Sequence, residues 1–353
     1  MVRAAVRRTG AYPRAVTARL VDRSPRLEPA ELVAALVPPP RFGDVRLETY
    51  RPDPDQPSQA AALDRLRHFA SGIGRTERRR LFRRPPASSG PTGVYLDGGF
   101  GVGKTHLLAS LWHLAPAPRA FGTFVEYTNL VGALGFVPAV QALSDHSLVC
   151  IDEFELDDPG DTVLMSTLLA RLSSSGVRVA ATSNTLPGSL GEGRFAAEDF
   201  LREIQALAAR FEVVRVDGQD YRHRGLPDAP PPVSRDEAQR WAAGSPGATC
   251  DDLDLLCAHL ASVHPSRYGA LVEGVEAVAL TGVHPVHDQN VALRLVVLAD
   301  RLYDREVPVV LSGAAVTALF TPELLSGGYR KKYLRATSRL ISLARDGAAL
   351  SRR

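Results

Sequence analysis

One eight-residue stretch limits the folds open to this chain more than any other. Gly98-Gly99-Phe100-Gly101-Val102-Gly103-Lys104-Thr105 fits the pattern G-x-x-x-x-G-K-[ST] at every fixed position. A strand-like GVYLD precedes it and a helix-like HLLASLWHL, beginning at His106, follows, which is the context a phosphate-binding loop requires. The glycines let successive backbone N–H groups turn inward around phosphate oxygens, and the positive end of the following helix adds to the attraction. In such a loop Lys104 bridges the β- and γ-phosphates as a compact point charge, and Thr105 offers an oxygen to Mg²⁺. The expected cofactors are ATP and Mg²⁺, held by the segment from Gly98 to His106.

A second stretch supplies acids. Leu148-Val149-Cys150-Ile151-Asp152-Glu153 reads as a buried central strand that delivers two carboxylates to the mouth of a sheet, where ligands bind in open α/β folds. Its position 48 residues after Lys104 assigns Asp152 to the Mg²⁺ shell and Glu153 to orienting and deprotonating an attacking water. The next apolar run, residues 177–182, ends in Ser183-Asn184. The neutral amide there can hold the same water or sense the γ-phosphate; capping the turn before Pro187 is its structural alternative. Hydrolysis also gains from a guanidinium on the transferring phosphoryl group. Arg194, Arg202 and Arg210 lie in or near a helical stretch at 198–209, and Arg210 directly precedes the strand-like FEVVRV.

Around these motifs, strand-like runs at 94–96, 123–127, 148–151, 178–182 and 212–216 alternate with helical runs such as 104–114 and 162–173. The alternation predicts an α/β fold, a P-loop NTPase core whose mostly parallel sheet is covered by helices on both faces. Residues 1–45 have weak periodicity and read as an appendage. The core is expected over 46–225, with a preceding helix at 56–70 capped by Ser58. A Pro-rich linker is expected at 226–248, and a lid-like, largely helical C-terminal region with two strands, 277–280 and 307–311, at 249–353.

Composition narrows the function. Of 42 basic residues only Lys104, Lys331 and Lys332 are lysine. No Asn precedes a Lys, so the Asn-Lys-x-Asp loop that reads guanine is excluded. A net charge of +3 is too small to suggest bulk nucleic-acid binding, although the Arg75 to Arg84 run is a local basic patch. No stretch reaches the roughly 18 apolar residues of a membrane helix. The three cysteines make neither a disulfide framework nor a zinc spacing, which fits a reducing cytoplasm.

LVCIDEFELDDPGD at 148–161, AATSN at 180–184 and VDGQDYR at 216–222 together resemble the ZapE-like cell-division ATPases, relatives of the mitochondrial AFG-type ATPases within the AAA+ class. The likeness resumes in LADRLYD at 298–304 and ATSRL at 336–340. It implies ATP hydrolysis coupled to remodelling of a protein partner, in bacteria the tubulin-like protein FtsZ, by a nucleotide-dependent homo-oligomer; peripheral membrane association stays open. It also implies Lys104 and Thr105 at phosphate and Mg²⁺, Asp152 and Glu153 at Mg²⁺ and water, Asn184 as sensor, and Gln59 near the adenine. Relatives carry arginines where this chain has Ala197 and Asp199, which leaves Arg194 and Arg210 as finger candidates for a neighbouring subunit; Arg294 matches one of a pair that would act as second sensor. The rival readings are a phosphotransferase kinase on the same loop, or an ATP-dependent switch such as a helicase-loader-like adaptor.

Overall fold

The computed structural model describes residues 18–26, 28–74, 91–99, 101–156, 159–190, 200–218 and 228–350. Five parallel strands, β1 (Gly93–Asp97), β2 (Arg119–Thr123), β3 (Leu148–Asp152), β4 (Arg178–Ser183) and β5 (Phe211–Arg215), pair in the order β2-β3-β4-β1-β5. β1 and β3 are buried at every position, as expected of interior strands in a sheet covered on both faces. Successive side chains divide between two cores: Tyr95, Val149 and Ile151 enter one, and Val94, Leu96, Leu148 and Cys150 the other. The second core is closed by α2 (Pro57–Ser71) and α3 (Lys104–Leu114), after the short α1 (Pro29–Ala34). The first is closed by α1 together with α4 (Phe124–Leu134), α5 (Phe136–Leu143), α6 (Pro159–Ser174) and α7 (Leu201–Ala208).

The C-terminal region is a second α/β layer. It comprises α8 (Arg235–Gly244), β6 (Ala248–Asp252), α9 (Leu253–Ser262), α10 (Tyr268–Leu271), β7 (Ala277–Val283), α11 (Gln289–Asp304), β8 (Val309–Gly313), α12 (Pro322–Ser326) and α13 (Arg330–Leu350). Its strands are parallel, in the order β6-β7-β8. Gly347 of α13 lies so close to Val309 of β8 that a Cβ would run into the Val309 carbonyl oxygen, so this helix is seated directly on the sheet.

Several expectations change. The run at 123–127 is not a strand: Thr123 ends β2 and caps α4, accepting from Glu126 N at 3.3 Å while Glu126 Oε2 accepts from Thr123 N at 2.7 Å. That reciprocal box starts the helix where aromatic residues suggest a strand. Ser58 does not cap α2; its hydroxyl accepts from Asp217 N at 2.9 Å, joining the helix to the end of the sheet. The middle of the expected linker, Arg235–Gly244, is α8, capped by Ser234 and Glu237, and among the described residues the expected two C-terminal strands are three. Residues 18–36 are not an appendage where they are described. Leu20 is fully buried in the C-terminal core, whereas Leu32 and Leu36 belong to the first core. No helix among the described residues is long and apolar enough to cross a membrane.

Candidate nucleotide site

Parallel register aligns the polar strand ends. Asp97 lies opposite Ser183, and Thr123 opposite Asp152. The phosphate loop leaves β1 directly, and its first glycine is required by contact: a Cβ on Gly98 would strike the Val216 carbonyl oxygen. Gly103, at φ 90°, is the N-cap of α3 and has Tyr50 packed on it. The Tyr50 hydroxyl donates to Val102 O at 2.9 Å, and the ring stands edge-on to His106 at 5.6 Å. No side chain among the described residues caps α3. Its first-turn N–H groups and the helix dipole therefore face the cavity, an arrangement suited to an anion.

The motif side chains meet there. Lys104 Nζ donates to Gly98 O at 2.8 Å, Gly99 O at 2.5 Å and Asn184 Oδ1 at 2.8 Å. Thr105 Oγ1 lies 3.2 and 3.1 Å from the two carboxylate oxygens of Asp152. Thr182 Oγ1 donates to Asp152 Oδ1 at 2.5 Å and accepts from Glu153 N at 3.0 Å. Gly101, Lys104, Thr105, Asp152, Glu153 and Asn184 line one cavity of about 230 Å³. Burial and the neighbouring Glu153 push Asp152 up to about 6, against the Thr182 and Thr105 hydrogen bonds. A hydroxyl and a buried carboxylate form a hard oxygen donor set that fits Mg²⁺, whose charge would reverse that upward push. Among the described residues no group of three or more His, Cys, Asp or Glu could hold a metal.

Glu153 departs from ordinary backbone geometry. Its φ of 53° lies in the left-handed region, which costs a non-glycine residue about 1 kcal/mol. The flanking contacts hold it there. Phe154 N donates to Thr182 O at 2.7 Å, and the buried Phe154 ring stacks edge-on against Phe124 at 5.2 Å and Tyr95 at 6.3 Å. The Phe of the Asp-Glu-Phe cluster thus anchors the turn that aims Glu153.

The C-terminal region reaches this carboxylate. Glu153 Oε2 lies 2.5 Å from Arg335 Nη1, and Oε1 accepts from Arg339 Nη2 at 3.1 Å. Arg335 also binds Asp300 of α11 at 3.1 Å, and Arg339 donates to the other Asp300 oxygen. Burial alone would raise Asp300, but Arg339 and Arg335 outweigh it and hold the carboxyl below its ordinary value. Beside this group Arg301 pairs with Glu126 of α4 at 2.5 Å.

Other sequence-named residues fall elsewhere. Gln59 is buried with both amide ends used, accepting from Asp53 N at 2.9 Å and donating to Asp217 O at 2.7 Å, so it clasps backbone. Arg210 stands at the amino end of the sheet, its carbonyl accepting from Thr92 and Gly93, across the length of β1 from the loop. Arg294 lines a larger cleft of about 610 Å³ between α4 and α11, with Glu153 on its wall. Arg194, Phe100 and the Arg75 to Arg84 run lie outside the described residues. Thr182, Tyr50, Asp300, Arg335 and Arg339 were not singled out from sequence. Arg339 and Asp300 do fall inside the late stretches of family likeness, the one signal that pointed to them.

The model of a family described as AFG1-like ATPase matches residues 27–244 and 236–352. The Escherichia coli (strain K12) cell division protein ZapE is 31% identical over 149 residues, 39% of this chain and 40% of that protein. The Danio rerio lactation elevated protein 1 homolog B is 25% identical over 167 residues, 39% of this chain and 32% of that protein. The chain thus spans 40% or less of the length of these relatives. Among solved structures, DnaI covers 52% of this chain and 98% of its own at 16% identity and a TM-score of 0.39. AMPPCP-bound DnaA from Aquifex aeolicus covers 49% and 50% at 12% identity and a TM-score of 0.36.

Proposed function

The chain belongs to the AFG1-like ATPase family, and from that premise we propose that it binds Mg·ATP at the loop from Gly98 to His106 and hydrolyses it. The observation that carries the reading is the convergence of Lys104, Thr105, Asp152, Glu153 and Asn184 on one cavity at the start of α3. The loop N–H groups and Lys104 grip the β- and γ-phosphates. Thr105 and Asp152 would hold Mg²⁺, which when bound would neutralise charge developing on the phosphates. Glu153 accepts the proton of the attacking water, and Asn184 orients that water or the γ-phosphate. Arg210 is too far from this chain's own loop to act there, so its proposed role, like that of Arg194, is toward a neighbouring copy's nucleotide.

Hydrolysis in this reading drives remodelling of a protein partner in the cytoplasm by a nucleotide-dependent homo-oligomer. The relative named for cell division makes FtsZ the first partner to test. The experiment is phosphate release from Mg·ATP without any acceptor, paired with sizing of the Glu153→Gln protein with and without Mg·ATP. Release, and a larger species only with nucleotide, support the reading. No release without an acceptor substrate favours a kinase, and a monomer throughout favours a switch.

A further inference from the structure

Glu153 is shared by the candidate nucleotide site and the ion-pair group of the C-terminal region. Its two oxygens face two guanidiniums from α13, and Asp300 of α11 binds both guanidiniums from the other side. Arg335, Arg339 and Asp300 are only 13–15% exposed and Glu153 23%, so the four charges sit largely out of water, where charge-assisted pairs are strong. A carboxylate that takes a proton from water must turn a lone pair toward that water. Here one oxygen contacts Arg335 and the other Arg339.

We infer that Arg335 and Arg339 form a latch, in which the C-terminal region withholds Glu153 from the attacking water until α13 moves away. The inference rests on the reading of Glu153 as the base. Two features make the latch a property of the whole region. α13 is fastened to β8 by the close approach of Gly347 to Val309, and it buries Ile341 and Leu343 in the C-terminal core, so its first turns move with that layer. Arg339 also lines a cavity of about 190 Å³ together with Thr105 and Asp152, so the latch closes beside the groups assigned to Mg²⁺. Whatever protein or neighbouring copy shifts the C-terminal layer would thereby release the base, which gives hydrolysis a mechanical input.

The latch is tested first without nucleotide, by hydrogen exchange over the N-terminal half of α13. Glu153→Gln removes the charge that both guanidiniums hold, and amide exchange there is expected to rise about fivefold over the wild type, the loss of roughly one charge-assisted contact. Unchanged exchange overturns the latch. The Arg335→Gln/Arg339→Gln protein is then expected to hydrolyse ATP with kcat raised about threefold or more and KM within about twofold. A folded double variant with kcat at or below the wild type overturns the latch and makes the arginines required positioners instead. Should that protein not fold, Arg339→Lys keeps the charge without the fork and is expected to raise kcat about twofold; an equal or lower kcat contradicts the inference. Wild-type turnover by Glu153→Gln sinks the assignment of the base, a result separate from the exchange measurement.

Discussion

Both parallel sheets of this chain carry acids at the carboxyl ends of their strands, yet the two ends are used in opposite ways. In the five-stranded sheet Asp152 ends β3 and lines the loop cavity, while Asp97 ends β1 and pairs with Arg215. In the three-stranded sheet Asp251 and Asp252 end β6, and the chain's own backbone fills the place of a ligand. Asp251 oxygens accept from Leu20 N at 3.0 Å and Val21 N at 3.1 Å. Asp252 caps α9 by accepting from Asp254 N at 3.2 Å and binds Arg235 at 2.9 Å. The helix that follows β1 begins at Gly103 with no side-chain cap among the described residues, whereas the helix that follows β6 begins with a carboxylate already on its N–H groups. An anion site thus needs more than the end of a parallel strand. It needs a helix start left to the ligand, a lysine, and glycines where the backbone must approach.

Substitutions sharpen this contrast, beginning with the largest expected effect. Lys104→Ala should weaken ATP binding at least about 100-fold, or about 2.7 kcal/mol, with little change in melting. Calorimetric titration checks it, and affinity within threefold of the wild type would break the distinction between the sheets. Asp251→Ala should do the reverse. It leaves the Leu20 and Val21 N–H groups without their acceptor and is expected to lower stability by about 2 kcal/mol in urea while ATP affinity stays within twofold. A loss of nucleotide binding there would show that the second sheet also serves the ligand.

Smaller effects probe how the first sheet holds its acids. Thr182→Val removes the hydroxyl shared by Asp152 and Glu153 N, and kcat is expected to fall about tenfold, or 1.4 kcal/mol. Steady-state kinetics decide it, an unchanged kcat meaning that the turn aims Glu153 without Thr182. Tyr50→Phe loses the bond to Val102 O and should cost about 1 kcal/mol of stability, with KM for ATP raised no more than threefold. A larger rise in KM would make Tyr50 a nucleotide contact.

What was legible in the sequence follows from range. The loop, the acidic pair and Asn184 were readable because each depends on a strand, a turn and a helix start within a few residues of itself. The central strands β1 and β3 were readable as unbroken apolar runs. β6, with sequence ATCDD, carries too little apolar residue to announce a strand, and its bridge partner Ala18 and the Leu20 N–H that Asp251 accepts lie far away along the chain. The Arg339 contact with Glu153 spans 186 residues, and no local pattern encodes it. Gln59 likewise joins distant segments: its buried amide accepts from Asp53 N and donates to Asp217 O, the latter 158 residues away.

The account stands on Glu153 acting as the base of an ATP-hydrolysing site, and one measurement tests that most directly. The Glu153→Gln protein is mixed with radiolabelled Mg·ATP at a single-turnover ratio, and bound nucleotide is separated over time. The expected result is tight binding with label remaining as ATP, the rate of conversion reduced by about 100-fold or more relative to the wild type. Conversion to ADP at the wild-type rate would contradict the account.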